Sequence, residues 1–521
     1  MFCHSEQHSP SPPSRTAAAA TAGLAQRLAR PLLVAIAIRL VLFMVYQPWQ
    51  PEIEATRVIQ GDEIMYHTAA MNISRGHGYS FRTAAPYTLT NFRMPGYPLF
   101  LSVLYRIGCR PWGALLAHIG FSALTLLLLA HLCASVWNMR TAVICAWLMA
   151  LCPLDIVSTQ TLLREPLFLV FLSGFWCLWL WYLRQPRLWA LCASAALMAL
   201  ASYVRDNSIY MVVAFAPLLV VRGWSERRVL RGVWTAGLFV LCYCAVLAPW
   251  AVRNRAALGC WSLTSAAGTT MLTGNGALVL AHKYHYDYDQ MLHVLHQVML
   301  KRYSFPPLPP EIQAGLRGAY RTNDALVAAV TPAWFQQTNM PLIVLRDVNE
   351  IDKAHARLFG MIVRDNWQQY LFEIVRGTVR ILFTPLWQEF MRIALPDVDS
   401  GAFVSACIHR DRARIASIGR ARAALALGSA ALMTAYDVTV GLLALSGLAL
   451  LAWTWRRRDI VFTLSWLMFF VYTVAVSTGP NAVSRFRYGL LPVLLPLAAS
   501  MLAWLWTEKS KPQSGSSVSL M

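Results

Sequence analysis

GDEIMYHTAAMNISRGHGYSFRTAAPYTLTNFRMPGYP, residues Gly61–Pro98, follows the first long apolar run of the chain, PLLVAIAIRLVLFMVYQPW at Pro31–Trp49. A run of about 20 apolar residues matches the thickness of a hydrocarbon core, so Pro31–Trp49 reads as a membrane span and the stretch after it as a loop at a membrane surface. The loop opens with the adjacent acids Asp62 and Glu63, carries Tyr66 and His67, turns at Gly76-x-Gly78, and reaches Arg93 before a Pro-Gly-Tyr-Pro corner at Pro95–Pro98. Two readings compete for it. One is an ordinary exposed loop with solvated acids; the other is a reactive carboxylate at the edge of a membrane-embedded cavity.

The composition settles the surroundings. Of 521 residues, 57% are hydrophobic and only 13% charged, more apolar surface than one soluble core can hide. The fold class is an all-α polytopic membrane protein. The formal net charge of +20 comes mainly from arginine, since lysine occurs only at Lys283, Lys301, Lys353, Lys509 and Lys511. Arginine's planar fork suits bidentate contacts with phosphate, which fits anionic headgroups or a phosphorylated lipid. A nucleic-acid partner is excluded, because the basic residues sit at the ends of apolar runs and form no stripe on a soluble domain. The 11 cysteines lack the paired spacings of a disulfide framework or a zinc site, and most sit inside apolar runs as small core residues.

Met1–Arg30, rich in Ser, Pro and Ala, is expected to be a disordered cytoplasmic tail. Further spans are expected over Gly113–Val136, Thr141–Val157, Glu165–Leu183, Leu188–Val204, Ser208–Arg222, Arg231–Ala251, Leu427–Trp455, Asp459–Thr478 and Phe486–Trp506, about ten with the first. Alternate connections then hold Arg140; Arg184 and Arg187; Arg222, Arg227, Arg228 and Arg231; Arg456, Arg457 and Arg458; and Lys509 and Lys511. That parity places them, and the amino terminus, in the cytoplasm. One cluster disagrees: Arg410, Arg412, Arg414, Arg420 and Arg422 fall on the outer side, so either Tyr370–Leu395 crosses the bilayer or the cluster lies on the outer surface. Arg376, Arg380 and Glu389 interrupt that run, which favours a surface-lying helix. The chain divides into the tail (1–30), an N-terminal transmembrane module (31–251) with its first outward loop (50–112), an extracytoplasmic loop and surface-helix region (252–422), C-terminal transmembrane helices (423–507) and a cytoplasmic tail (508–521).

The outward corners share a feature that bulk composition does not explain. Each ends a span with arginine beside a polar or charged neighbour: Arg164-Glu165, Arg205-Asp206-Asn207, Arg253-Asn254 and Arg485-Phe486-Arg487-Tyr488. Any one of these arginines taken alone is explained by snorkelling to the outer headgroups. Four on the side that the positive-inside rule depletes point instead to a shared anion, a phosphate held between bundle and outer surface.

At these residues the chain resembles a known family. Gly61-Asp62-Glu63-x-x-Tyr66-His67, Gly76-His77-Gly78-Tyr79, Arg93-x-Pro95-Gly96-Tyr97-Pro98, Pro249-Trp250-x-x-Arg253-Asn254 with Gly268 and Gly274-Asn275, and Arg485-x-Arg487-Tyr488 are similar to motifs of the GT-C glycosyltransferases. The likeness is to the bacterial branch related to the protein O-mannosyltransferases and the aminoarabinose lipid A transferases. It implies a GT-C-like bundle with outward-facing surface helices. It also implies a multi-pass enzyme of the plasma (inner) membrane that moves a sugar from a polyprenyl-phosphate donor to a glycan, lipid or protein acceptor, with the active site facing the periplasm or cell exterior. The catalytic carboxylate of the first loop carries over to Asp62, with Glu63 beside it as a second candidate. Such a base suits an inverting displacement, which needs one carboxylate for the acceptor hydroxyl, while the leaving phosphate needs fixed cations. Arg205, Arg253, Arg485 and Arg487 are the candidates for the phosphate. Tyr66, His67, Arg93, Arg164, Glu165, Asn254 and Tyr488 are expected to orient substrate.

Some members of the family use a divalent metal, and His67 beside Asp62 and Glu63 offers ligands for one; as a lone loop histidine it reads first as a hydrogen-bonding group, and no metal is assigned. The run HKYHYDYDQMLHVLH at His282–His296 lacks a recognised ligand spacing and reads as an amphipathic surface helix. Pro306, Pro307, Pro309 and Pro310 break the region after Tyr303, and Glu311–Arg364 reads as several amphipathic helices of a small outer unit that shapes the acceptor path. The rival function is a transporter or flippase of a lipid-linked saccharide. It would use the same outward arginines without a base, and would need polar residues continuing through the spans, of which Arg39 is an exceptional example.

Overall fold

The computed structural model describes residues 15–59, 61–304, 324–332, 343–345, 347–385, 387–394, 420–453, 460–477 and 484–509. Among them, seven helices are long and apolar enough to cross a membrane: Gln26–Tyr46, Pro111–Val136, Glu165–Arg184, Asp206–Ser225, Val229–Leu258, Arg422–Trp453 and Arg485–Thr507. Three shorter apolar helices, Met139–Ala150, Leu188–Val204 and Ile460–Val476, complete the set of about ten. The chain is therefore an all-α polytopic membrane protein, with one two-residue parallel strand pair, Tyr303–Ser304 with Ile343–Val344, among the described residues.

The first helix shows how sequence sets orientation. Leu28, Ala35, Arg39, Phe43 and Tyr46 recur at helical spacing and are buried. Leu33, Val41, Met44 and Val45 cover the opposite face and are exposed, as a lipid-facing stripe would be. In the middle of the bundle, Phe175, Trp176 and Trp179 meet Phe215, Trp466 and Phe469; the Trp176 and Trp466 rings stack at 4.7 Å. A second, separate core is formed by Leu272, Leu280, Met291, Leu295, Val298, Leu326, Leu358 and Ile362, in the stretch of chain between the two blocks of apolar helices.

Several boundaries differ from the sequence reading, each for a local reason. The first helix starts at Arg15 and not at Pro31, because the Ala-rich run before Arg30 is strongly helix-forming; residues 1–14 lie outside the described set. The span expected over Thr141–Val157 ends at Ala150, and Pro153 starts a separate short helix, Pro153–Ser158. Twelve residues rise about 18 Å, short of the hydrocarbon thickness. The helix expected to end at Ala251 continues through Pro249 and Arg253 to Leu258, where Gly259 caps it. The His282–His296 run forms two helices, Ala277–Tyr284 and Tyr288–Leu300, the second packing Met291, Val294, Leu295 and Val298 into this second core. Trp367–Phe383 is a single amphipathic helix of 17 residues, followed by Trp387–Ala394. Pro306–Pro310, Arg410, Arg412, Arg414 and Arg456–Arg458 lie outside the described residues.

Candidate functional site

Gly61, at φ +61° and ψ −128°, turns the chain so that Asp62 becomes the first residue of the helix Asp62–Ser74. The φ value lies where glycine is favoured, and the acid at a helix N-terminus complements the exposed backbone N–H groups. Asp62 Oδ2 accepts a hydrogen bond from Arg485 Nη2 at 3.0 Å, and its Oδ1 lies 4.0 Å from Arg93 Nη2. Arg93 Nη1 continues to Asp206 Oδ2 at 3.6 Å, and Asp206 Oδ1 meets Arg164 Nη1 at 3.2 Å. On the other side, Arg485 Nε faces Glu165 Oε1 at 3.5 Å, which in turn faces Arg205 Nη1 at 3.8 Å.

The result is one alternating chain of four guanidiniums and three carboxylates. It carries a surplus positive charge, and it is graded in depth. Glu165 and Arg205 are almost fully buried, whereas the side chains of Asp62 and Arg485 are 28% and 26% exposed. Arg205 is also held between the Phe168 and Phe486 rings, at 5.7 and 5.4 Å. The cluster therefore opens where Asp62 and Arg485 meet.

Electrostatics follow from this packing. Burial pushes the Asp62 carboxyl up, but Arg485 and Arg93 more than offset it and hold the group below the ordinary aspartate value. Burial, opposed by Glu165 and reinforced by Arg164 and Arg485, pushes Arg205 down to about 10, so its guanidinium remains charged at neutral pH. His67 is pushed down by burial and by Arg75, and is neutral at pH 7.

The other expected residues have distinct places. Glu63 is buried, 3% exposed. Tyr66 is buried edge-on to Tyr97 at 5.4 Å, with the Arg164 guanidinium 5.8 Å above its ring. His67 Nδ1 lies 3.0 Å from the Tyr105 hydroxyl on the helix Gly96–Arg106. Among the described residues no three His, Cys, Asp or Glu side chains converge as metal ligands would.

Arg253 stacks on Trp250 at 4.7 Å and lies over Tyr79 at 6.0 Å, while its Nη1 donates to Thr90 O at 2.8 Å and Asn254 Oδ1 at 2.9 Å. Among the described residues it has no ion-pair partner. Asn254 is buried and donates to Ser262 O at 2.8 Å, so it braces a loop and does not face the cluster. Asn91 clamps the same place, donating to Ser262 O at 3.1 Å and to Asn349 Oδ1 at 3.0 Å in the helix Val348–Asp365.

Arg487 and Tyr488, like Asn254, are not brought to the cluster. Arg487 Nη2 pairs with Asp437 Oδ2 at 2.7 Å, and its Nη1 donates to Leu382 O at 3.1 Å and Thr384 O at 3.3 Å. It satisfies the carbonyls that close the helix Trp367–Phe383, which have no partner within that helix. Tyr488 is fully buried and donates to Asp155 Oδ1. Asp206 was not among the expected site residues, although the Arg205-Asp206 corner signalled it; it bridges Arg93 and Arg164.

Comparison with known proteins finds no matching family model and no matching curated protein. Among solved structures, the chain is similar to the archaeal oligosaccharyltransferase AglB from Archaeoglobus fulgidus in complex with an inhibitory peptide and a dolichol-phosphate. The identity is 12% over 92% of this chain and 51% of that one, with a TM-score of 0.44. The chain thus spans about half the length of that protein. It is also similar to ArnT from Cupriavidus metallidurans bound to undecaprenyl phosphate, with 13% identity over 91% of this chain and 79% of that one and a TM-score of 0.37. The same protein in the apo state gives 14%, 92%, 78% and 0.36.

Proposed function

We propose that the chain is a GT-C membrane glycosyltransferase that moves a sugar from a polyprenyl-phosphate donor to an acceptor hydroxyl with inversion, using Asp62 as the base. The site then faces the periplasm or cell exterior, as the charge parity of the loops suggests. The observation that carries the reading is the meeting of a partly exposed carboxylate and a partly exposed guanidinium, Asp62 and Arg485, at the open end of an arginine-rich cluster.

In this reading the donor phosphate engages Arg485 and Arg93, the two cations that hold Asp62 in the free protein. A guanidinium drawn to phosphate lowers its claim on the carboxylate, whose proton affinity then rises. Asp62 accepts the acceptor hydroxyl's proton as that oxygen attacks the anomeric carbon, and the C–O bond to the lipid phosphate breaks on the opposite face. The departing phosphate carries the developing negative charge, which Arg485 and Arg93 offset, while Arg253 guides the phosphate to them. Arg164, Arg205, Glu165 and Asp206 fix the geometry of those cations.

The transporter reading relied on polar groups continuing through the spans, and Arg39 does not serve it. That side chain is 1% exposed and is engaged by Asp155 at 2.6 Å and by the carbonyls of Ala35 and Ala150.

The test is transfer from radiolabelled polyprenyl-phosphate sugars to a membrane-extract acceptor pool by purified wild type and Asp62→Asn. The expected loss is about 10²–10⁴-fold in turnover with donor binding retained. Equal transfer by both proteins would remove Asp62 from the role. Donor movement across vesicles without transfer would establish the transporter.

A further inference from the structure

At the end of the bundle remote from Asp62, a cleft of about 550 Å³ opens between the first helix, the helix Met139–Ala150 and the last helix, Leu491–Lys509. Two of these helices connect the two ends: the first leads on to Asp62, and the last starts beyond Arg485. The cleft is lined by Arg27 and Arg30 from the first helix, Arg140, Ile144 and Trp147 from the second, and Trp506 from the last. No acid lines it.

Elsewhere at span ends, arginines are engaged by the protein itself. Arg222 Nε pairs with Glu226 at 2.8 Å, and Arg184 donates to the Ser135 and Val136 carbonyls. Among the described residues Arg27, Arg30 and Arg140 have no ion-pair partner. Arg140 lies over the Trp506 ring at 5.9 Å.

The wall of the cleft has the polarity of a lipid. Along Met139–Ala150 the lining residues are Arg140, Val143, Ile144 and Trp147, one helix face by its spacing of three, four and seven. Seven residues rise about 10 Å. The face therefore begins with a cation at the mouth and continues as an apolar wall toward the bundle interior. A soluble anion would satisfy the arginines but leave that wall unused.

We propose that this cleft is a binding site for one anionic phospholipid, its phosphate held by Arg27, Arg30 and Arg140 and one acyl chain laid against Val143, Ile144 and Trp147. The site is separate from the Asp62 cluster, and the inference does not depend on the transferase reading.

The experiment uses the full chain in phosphatidylcholine nanodiscs doped with phosphatidylglycerol, ejected intact and weighed by native mass spectrometry. The wild type is expected to retain one phosphatidylglycerol in preference to phosphatidylcholine. R27Q/R30Q/R140Q is expected to retain it on the order of a hundredfold less well, since each guanidinium contributes as a juxtamembrane arginine does. Ile144→Trp keeps every charge but fills the slot, and is expected to lose the lipid too. Melting in phosphatidylcholine alone checks that each variant folds; a variant that fails it is set aside and the other decides. Equal retention of the two lipids by the wild type would overturn the proposal without any variant, as would wild-type retention by a folded variant. Displacement of phosphatidylglycerol by inorganic phosphate would also overturn it, and would assign the arginines to a soluble anion.

Discussion

At the scale of single residues, the state of Asp62 decides what the site can do. Its carboxyl is held below the ordinary aspartate value because Arg485 and Arg93 outweigh burial. A depressed group stays ionised as pH falls through the normal aspartate range and loses its pairs only when pH passes through the lowered folded value. Transfer should therefore be level from neutral pH down to about 4, with the acid limb below that. Arg93→Gln removes one of the two cations and should move the limb upward, which a pH profile of kcat/KM for the donor, the parameter that reports the free protein, would read in the two proteins. A limb at the same pH in both would separate Asp62 from the rate. Much of this convergence was legible in the sequence, because Arg164, Glu165, Arg205 and Arg485 are charges at the ends of apolar runs. The direction of Arg487 and Tyr488 was not, since adjacency within the turn Ser484–Leu490 says nothing of which neighbour claims a side chain. Arg253 gives a second prediction at this scale. It has a cation stacked on Trp250 and, among the described residues, no ion-pair partner. Arg253→Gln should raise the donor KM more than it lowers kcat if Arg253 guides the phosphate without touching the reacting centre.

At the scale of elements, the Pro95–Pro98 corner shows why a short motif matters. The helix Gly96–Arg106 crosses the end of Leu188–Val204 so closely that a Cβ on Gly96 would lie 2.7 Å from both the carbonyl carbon and oxygen of Tyr203. Those are backbone atoms and cannot rotate away. The next residues after Val204 are Arg205 and Asp206, so a shift of this contact displaces two members of the charged cluster. Gly96→Ala should cost about 1–3 kcal/mol as overpacking and lower transfer together with the melting temperature. Gly120→Ala, with nothing within 4 Å of its Cβ position, is the matched control and should leave both unchanged or slightly improved. The spans themselves were legible from apolar length. The break inside Thr141–Val157 was the exception, because hydropathy runs on through Pro153 while the backbone hydrogen bonds do not.

At the scale of the whole molecule, the first span and the last turn are joined by a polar contact inside the apolar bundle. Arg39 Nη2 lies 2.6 Å from Asp155 Oδ2, its Nε donates to the same oxygen at 3.2 Å, and the pair is 116 residues apart in sequence. Asp155 also accepts from Ser122 and Tyr488, so four segments meet on one carboxylate. Nothing local announces this: Asp155 stands within a run read as a span, and its partner lies in another. Tyr488 belongs to the same turn as Arg485, so the contact also fixes the turn that reaches Asp62. Removing one member strands a buried charge, and Asp155→Ala or Arg39→Ala alone should destabilise the protein by about 3–5 kcal/mol. Arg39→Met with Asp155→Leu leaves the Ser122 and Tyr488 hydroxyls without this acceptor and the Ala150 carbonyl without this donor, but it strands no charge, so its loss is smaller than that of either single variant. The double variant should therefore melt above either single variant and below the wild type when unfolding in detergent is followed by size-exclusion of the monodisperse fraction. A double variant that loses as much as the two singles added together would mean that Arg39 and Asp155 act independently, and that the first span and the last turn are held by packing alone.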